Sequence, residues 1–187
     1  EGSAAARWLQ AQFAGRLVSK EYVCLCSGRH LGAPGARGEV AAKLSVARVG
    51  AASFQASVSP RGRRALTRYY VRAIYALPCA EGAPGESFAL LAVRPLTGRT
   101  HQIRAHLASI GCPLVSDSVY GAERFRRDLA WCPRVFLHCR RVALRDLKGD
   151  DFVAEAALPE DLVSALQRLV HIDGTGLIDG GEADSES

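Results

Sequence analysis

The sequence predicts one mixed α+β domain, and three observations support this fold class. The chain has 187 residues, 48% of them hydrophobic and 23% charged, which suits a single globular core and is too short for two comfortable domains. Strand-like and helix-like hydrophobic patterns follow one another irregularly, with no internal repeat. No apolar run approaches the ~20 residues that a membrane-spanning helix requires, so we expect no membrane partner.

Four segments have the apolar spacing of helices: residues 4–14, 101–110, 125–131 and 159–170. The first is predicted to be amphipathic, with one set of residues at helical spacing: Trp8, Leu9, Gln12 and Phe13. In the second, Ile103, Leu107 and Ile110 are predicted to form the core face. The last opens at Pro159, and the two acids that follow suit the N-terminal end of the helix dipole.

Seven segments alternate or run apolar in the manner of strands: 18–28, 41–49, 53–58, 65–77, 87–94, 134–144 and 151–157. In the first of them, Tyr22, Cys24 and Cys26 alternate with Val23 and Leu25, which gives the strand two different faces. Residues 28–38 are predicted to be a loop and residues 60–64 a basic turn. The predicted domain spans residues 1–172, and residues 173–187 form an acidic Gly/Ser tail expected to be disordered when alone.

Charge is distributed unevenly along the chain. The whole sequence has 24 Lys and Arg against 19 Asp and Glu, whereas residues 1–80 hold 12 bases and 3 acids. Nearly all the bases are arginine, which pairs with phosphate and stacks on nucleobases, so the composition suits a polyanion partner. A GC-rich genome, which encodes arginine, alanine and glycine throughout, explains the same composition equally well.

The six cysteines and five histidines predict neither a disulfide framework nor a metal site. No CxxC pair occurs, and Cys24 and Cys26 alternate along a predicted strand. His101 and His106 are about 140° apart around a helix, so they do not share a ligand face. We therefore expect buried free thiols in a reducing intracellular compartment and no metal.

The segment richest in chemistry runs from Arg94 to Leu107 (RPLTGRTHQIRAHL) and is followed by residues 110–121 (IGCPLVSDSVYG). A Thr-Gly turn before a helix exposes backbone N–H groups to an anion, with Arg99 beside it. Arg104 flanks the apolar face of this helix, so its guanidinium is expected to be half buried and to need a carboxylate or phosphate partner. A helix whose arginines are merely solvated is the alternative.

These two segments closely resemble the C-terminal signature of the RluA-type pseudouridine synthases, P-x-TGRTHQIR-x-HL followed by IG-x-P-x-x-x-D-x-x-YG. The similarity continues in the same order over about residues 4–163. It includes five further segments: 13–22 (FAGRLVSKEY), 38–44 (GEVAAKL), 64–69 (RALTRY), 137–139 (LHC) and 157–161 (ALPED). The turn departs from the pattern only at Cys112, where histidine is usual, and at Ser116, where glycine is usual.

The resemblance implies a mixed, largely antiparallel sheet flanked by helices, and a reaction on RNA that needs no cofactor. Such enzymes flip a uridine out of its RNA, detach the base and rejoin it through carbon. By position, Tyr22 resembles the tyrosine that stacks on the base, Arg104 the arginine that pairs with the catalytic aspartate, and Leu137 the apolar pocket wall. A core tyrosine is the alternative for Tyr22. The residues expected to face RNA are Arg16, Lys20, Arg61, Arg63, Arg64, Arg99, His101 and Gln102.

One departure concerns the chemistry itself. The family's catalytic aspartate lies in an H-R-L-D-x-x-T-S-G strand before the first helix, and the sequence has no such segment. Asp117 matches the D-x-x-YG turn instead, and Glu21 is expected to face the side of its strand opposite to Tyr22. The sequence also lacks methionine and starts at Glu1, so we expect a fold that is incomplete at its N-terminus.

Two functions are therefore compared. The preferred one is an RNA-binding, pseudouridine synthase-like protein that cannot catalyse as this chain. Its partner would be rRNA or tRNA, for example in a ribosome or another ribonucleoprotein, in a mitochondrion or other organelle or else in the cytoplasm. The alternative is a fragment of an active RNA pseudouridine synthase whose aspartate lies upstream of Glu1. The missing aspartate segment and the concentrated positive charge favour the first.

Overall fold

The computed structural model describes residues 3–28, 31–50, 53–79 and 85–175. Within these ranges the helices are α1 (Ala4–Gly15), α2 (Gln102–Ser109), α3 (Ala122–Asp128) and α4 (Glu160–Gln167). The strands are β1 (Ser19–Ser27), β2 (Arg37–Val40), β3 (Leu44–Val49), β4 (Ser53–Val58), β5 (Thr67–Ala76), β6 (Ser87–Pro95), β7 (Leu137–Arg145), β8 (Asp151–Glu155) and β9 (Val170–Gly174).

Seven of these strands form one sheet in the order β2-β5-β6-β1-β7-β8, with β9 paired to β5. Every pairing in it is antiparallel, and β3 and β4 form a separate antiparallel hairpin. Antiparallel pairing permits short connections between neighbouring strands, which suits the closely spaced strands of this sequence. The predicted mixed α+β fold with a largely antiparallel sheet is confirmed.

The central strands are buried on both faces, and each face packs against its own helix. On β1, Val23 and Leu25 pack with Leu162 and Leu166 of α4. The alternate residues, Tyr22, Cys24 and Cys26, pack with the group that includes Ile103 and Leu107 of α2. The two-faced alternation predicted for this strand is therefore confirmed, and it directs Tyr22 toward α2.

The first helix docks differently from the prediction. Its buried residue is Gln12, whereas Phe13 is 52% exposed and Trp8 is 39% exposed. The Gln12 amide donates to the carbonyl of Arg145 at 2.6 Å and accepts from the Arg145 N–H at 2.8 Å. The helix thus attaches to the end of β7 by a pair of hydrogen bonds that imitates a strand neighbour, and its apolar residues stay at the surface.

Three further predictions are corrected by the structure. Ile110 is 39% exposed rather than part of the core face of α2, because the helix ends at Ser109 and the chain turns away. The predicted loop 28–38 contains the start of β2, and the last helix ends at Gln167, so that Val170 begins β9 instead. The predicted tail 173–187 begins inside β9, which extends to Gly174, and its residues from 176 onward lie outside the described residues. None of the helices in the described ranges is long and apolar enough to cross a membrane.

Candidate functional site

A cavity of about 400 Å³ lies where β1, the start of β7 and the N-terminal end of α2 meet. We call it the first cavity. Seven of the residues singled out in the sequence line it: Lys20, Tyr22, Arg99, His101, Gln102, Arg104 and Leu137. The remaining lining residues are Pro95, Thr97, Gly98, Ile103 and Val135. Residues that are more than 100 positions apart in the sequence therefore share one site, because β1 lies between β6 and β7 in the sheet.

The loop before α2 is held by the side chain of Gln102. Its amide oxygen accepts hydrogen bonds from the Thr97 hydroxyl at 2.6 Å and the Arg99 N–H at 3.1 Å. Its amide nitrogen donates to the carbonyl of Leu66 at 2.9 Å and to Thr67 Oγ1 at 3.0 Å. Gln102 is 4% exposed and its amide takes part in four hydrogen bonds, so this glutamine fixes the loop that lines the first cavity.

The same network continues into a buried histidine. Thr67 Oγ1 lies 2.9 Å from His106 Nδ1, and His106 Nε2 lies 3.0 Å from the carbonyl of Ala42. A carbonyl can only accept, so Nε2 carries the hydrogen and Nδ1 accepts from the Thr67 hydroxyl. Burial lowers the pKa of His106, which keeps the ring neutral. This chain of hydrogen bonds fixes α2 against β5 and so fixes the wall of the first cavity.

Arg104 pairs with a carboxylate, one of the two kinds of partner expected for it, but this carboxylate is Asp117 of the D-x-x-YG turn and not the catalytic aspartate that the resemblance implies. Arg104 Nε and Nη2 donate to the two carboxylate oxygens at 2.7 Å each, and the guanidinium lies 5.2 Å from the Tyr120 ring centroid. Asp117 is fully buried and also accepts from the N–H groups of Val119 and Tyr120 at 3.0 Å. A guanidinium that is bound on two sides and stacked on a ring keeps a fixed orientation.

The charges of this pair are stable near neutral pH. Burial alone raises the pKa of Asp117, but the hydrogen bonds from Arg104, Tyr120 and Val119 outweigh it and leave that pKa lowered. The hydrogen bond with Asp117 raises the pKa of Arg104. Burial and the neighbouring Arg104 charge lower the pKa of His101, whose Nδ1 lies 3.3 Å from the Tyr120 hydroxyl. His101 therefore contributes a neutral ring to the cavity.

Tyr22 of β1 and Leu137 of β7 line the first cavity from neighbouring strands of the sheet. Burial, followed by the neighbouring Cys139 thiol, raises the pKa of Tyr22 to about 12, so its phenol is neutral at physiological pH. The pairing of β1 with β7 shifts register between Glu21 and Tyr22, which is a β-bulge, a feature that often re-aims a side chain beside a functional site. Leu137 is half buried and belongs to the apolar group that also includes Tyr22 and Val135.

Glu21 lies on the other face of β1, as expected. Its carboxylate accepts from Arg94 Nη2 at 2.7 Å and lies 3.6 Å from Arg141 Nη1. It does not line the first cavity, and no other described Asp or Glu does.

The remaining predicted RNA-facing residues divide into two groups. Arg61 and Arg63 line a second cavity of about 450 Å³, which shares Gly98 and Arg99 with the first. Arg64 lines neither cavity, although its carbonyl accepts a hydrogen bond from Arg99 Nε at 3.3 Å. Arg16 lines neither cavity and closes α1 as its C-cap, in the left-handed conformation with φ 60°.

Sequence reasoning missed two groups that shape the site. Tyr120 stacks on Arg104, and its hydroxyl bonds both the N–H and the carbonyl of Ala56 in β4 at 2.9 and 3.0 Å. Val135 extends the apolar wall. The D-x-x-YG turn held the signal for Tyr120, because its tyrosine stands three residues after the partner of Arg104. Among the described residues no cluster of three His, Cys, Asp or Glu could hold a metal ion, and all six cysteines are free.

Comparisons with known proteins all find similarity to RNA pseudouridine synthases. A family model described as RNA pseudouridylate synthase matches residues 2–109. Ribosomal large subunit pseudouridine synthase D of Zymomonas mobilis is 31% identical over 160 residues, which cover 82% of this chain and 46% of that protein. tRNA pseudouridine synthase C of Salmonella typhimurium is 36% identical over 87 residues, which cover 44% and 34%. The chain thus spans less than half the length of these curated relatives.

The fold agrees with solved structures as well. Human RNA pseudouridylate synthase domain containing 1 superposes with a TM-score of 0.71 at 23% sequence identity, over 94% of this chain and 68% of that structure. Human RNA pseudouridylate synthase domain containing 4 gives a TM-score of 0.62 at 22% identity, over 90% and 69%. At these identities the likeness is one of fold.

Proposed function

We propose a function from the premise that this chain belongs to the RNA pseudouridylate synthase family, whose model matches residues 2–109. The first cavity receives a uridine that has been flipped out of an RNA strand. One observation supports the proposal most directly. The three residues that the resemblance places in the active site, Tyr22, Arg104 and Leu137, all line this cavity. The cations Lys20 and Arg99 line it as well.

Each lining group suits a part of the nucleotide. Tyr22 offers an aromatic face with a neutral phenol, and Leu137 with Val135 offers an apolar wall, which together suit the faces of a flat uncharged base. Arg104, held by Asp117, offers N–H donors of fixed direction to the carbonyl oxygens of uracil. Lys20 and Arg99 then remain for the negatively charged backbone.

The preferred proposal is that these 187 residues bind RNA but do not isomerise uridine on their own. The resemblance assigns the detachment and reattachment of the base to an aspartate, and the described residues that line the cavity include no Asp or Glu. Asp117 commits its carboxylate to four hydrogen bonds, and Glu21 is paired with Arg94 across the sheet. Because both carboxylates are already paired, they support the proposal that the chain binds a uridine but does not supply the reactive carboxylate.

The alternative is a fragment of an active RNA pseudouridine synthase whose aspartate lies upstream of Glu1. One observation favours it: the chain spans only 46% of the ribosomal large subunit synthase and 34% of the tRNA synthase that it resembles. For both proposals the RNA is rRNA or tRNA, since the relatives' names specify these two classes. We also propose that the RNA belongs to a ribosome or another ribonucleoprotein, in a reducing intracellular compartment that is mitochondrial or otherwise organellar, or else cytoplasmic.

One assay separates the two proposals. The 187-residue chain is incubated with rRNA and tRNA whose uridines carry tritium at C5, and the release of tritium to water is measured. The preferred proposal predicts binding with no release above background, whereas multiple turnovers would reject it in favour of the alternative.

Binding of the base is tested with Tyr22 variants. Stacking of one base is worth about 1–3 kcal/mol, so Tyr22→Ala is expected to weaken the binding of a single-uridine RNA about tenfold. Tyr22→Phe, which keeps the ring, serves as the matched control and should stay within about twofold of the parent chain. The same loss measured on an RNA with an abasic site in place of the uridine would contradict a base-stacking role.

A further inference from the structure

The second cavity lies directly beside the first. Its walls are the start of β3, the basic turn 60–64 and the loop before α2, and its lining residues are Leu44, Ser45, Val46, Arg61, Gly62, Arg63, Gly98, Arg99 and Thr100. The two cavities share Gly98 and Arg99. Gly98 is exposed and has no side chain, and Lys20 Nζ lies 3.5 Å from the position that a Cβ would take there. A low backbone ridge, Arg99 and the Lys20 ammonium group therefore stand between the two cavities.

The charged residues that line the second cavity are all basic. Three of its nine lining residues are arginines, and none of these nine described residues is acidic. Arg61 and Arg63 are exposed, and Arg99 uses Nε to hold the carbonyl of Arg64, which leaves its other donors to the cavities. Ser45 and Thr100 add hydroxyl groups. Guanidinium groups with neutral donors beside them suit a phosphate group better than any uncharged ligand.

The turn that carries these arginines is rigid. Arg63 and Leu44 exchange two backbone hydrogen bonds of 2.9 Å, and the Gly62 N–H donates to the carbonyl of Ser59 at 2.9 Å. A Cβ at Gly62 would lie 2.4 Å from the carbonyl carbon of Leu44, so the turn is packed directly on the backbone of β3. The backbone of the turn is therefore ordered before binding, which removes the loop-ordering part of the cost of binding and favours a specific contact over a diffuse one.

We propose that the second cavity binds the phosphodiester of the nucleotide adjacent to the uridine held in the first cavity, with Arg61 and Arg63 as its contacts and Arg99 shared between the two. The proposal rests on the proposed function, because it requires an RNA strand that enters the first cavity. The strand crosses at Gly98, which has no side chain of its own and lies beside the Lys20 ammonium group. Arg64 belongs to the same turn but does not line the cavity, so it makes no contact with this phosphate.

The test compares single variants on matched RNAs. Arg61→Ala and Arg63→Ala are each expected to weaken binding of a single-uridine RNA by about fivefold to tenfold. The double variant should reduce the salt slope by ~0.7, the value for one single-stranded phosphate contact. Arg64→Ala removes the same charge from the same turn and should stay within about twofold. When methylphosphonate replaces the phosphate on one or the other side of the uridine, one of the two replacements should abolish the effect of Arg61→Ala and Arg63→Ala.

Two outcomes would overturn the inference. An equal loss for Arg64→Ala would mean that the turn acts through diffuse charge, and an undiminished loss on both methylphosphonate RNAs would mean that the contacted phosphate is elsewhere. The Tyr22→Ala arm tests the first cavity separately, because its loss depends on the base and not on salt. If the Tyr22→Ala loss is the same on uridine and abasic RNAs while methylphosphonate still abolishes the arginine effects, the proposed function is refuted. If the Tyr22→Ala loss requires the base but methylphosphonate does not change the arginine effects, only this inference is refuted.

Discussion

The ion pair of Arg104 and Asp117 makes a quantitative prediction for Asp117→Asn. The carboxylate is fully buried and receives two hydrogen bonds of 2.7 Å from Arg104 and two of 3.0 Å from backbone N–H groups. The guanidinium is only 17% exposed. An asparagine keeps one oxygen to accept from the backbone N–H groups of Val119 and Tyr120. Its amide NH2 group replaces the other oxygen and faces the N–H donor of Arg104, so two donors oppose each other and the buried guanidinium charge is left without a counter-charge.

Breaking a buried ion pair from one side costs about 3–5 kcal/mol. Because asparagine preserves the backbone contacts, we expect the lower end, about 3 kcal/mol less free energy of unfolding. For a domain of this size such a loss lowers Tm by about 6–12 °C. Asp151→Asn is the matched control, since Asp151 is 78% exposed and its pair with Arg145 lies at the surface, where ion pairs contribute at most about 1 kcal/mol.

Urea unfolding followed by circular dichroism measures both variants, at neutral pH and on acidification. Since the folded-state pKa of Asp117 is lowered, its stabilising contribution is complete above the ordinary value of 3.8 and is lost as the pH falls through the lower folded-state pKa. The difference between parent chain and Asp117→Asn should therefore shrink below pH 3.8. A loss below about 1 kcal/mol at neutral pH, equal to that of a surface pair, would refute the reasoning.

Two other measurements follow from the same structure. Gly62→Ala should lower the free energy of unfolding by about 1–3 kcal/mol, because the new Cβ meets the Leu44 backbone at 2.4 Å. Gly15→Ala, whose Cβ would find only the Leu17 side chain at 3.6 Å, should be neutral or stabilising by up to about 1 kcal/mol; an equal loss for both would contradict the clash. The pKa of Tyr22 near 12 predicts that Tyr22→Phe leaves the 295-nm phenolate titration unchanged between about pH 9 and 11. A curve that loses one phenol near pH 10 would show that Tyr22 is solvated instead.

The parts of the fold that sequence predicts are those set by neighbours in the chain. Alternation along β1 assigns Tyr22 to the α2 side and Val23 to the α4 side, because side chains of a strand point to opposite faces. The contiguous TGRTHQIR segment likewise carries its own wall of the first cavity, since a loop and the helix after it stay together in any fold. Local pattern was sufficient in both cases.

The parts that sequence does not predict depend on distant backbone. Strand β9 has only five residues, all exposed, so the alternation of Val170 and Ile172 with polar residues is too short to separate it from the helix before it. Its strand conformation depends on pairing with β5, about 100 residues earlier. The docking of α1 depends on the Gln12 amide meeting the backbone of Arg145, and a polar residue gives no hydrophobic signal. A carboxylate partner for Arg104 was expected, but its identity as Asp117 required the turn after α2 to fold back onto that helix.

The distribution of charge between the two cavities supports their assignment to different parts of a nucleotide. In the first cavity the guanidinium of Arg104 is neutralised by Asp117, and the rings of Tyr22 and His101 are neutral, so Lys20 and Arg99 supply the positive charge of its described lining. In the second cavity the guanidinium groups of Arg61 and Arg63 have no acidic neighbour among the described lining residues. A base is uncharged and a phosphodiester carries one negative charge. Neutral rings and a neutralised guanidinium beside two cations, with a second group of arginines next to them, therefore match a flipped base beside its backbone. A free anion would need positive charge in only one place, and a neutral metabolite would need none.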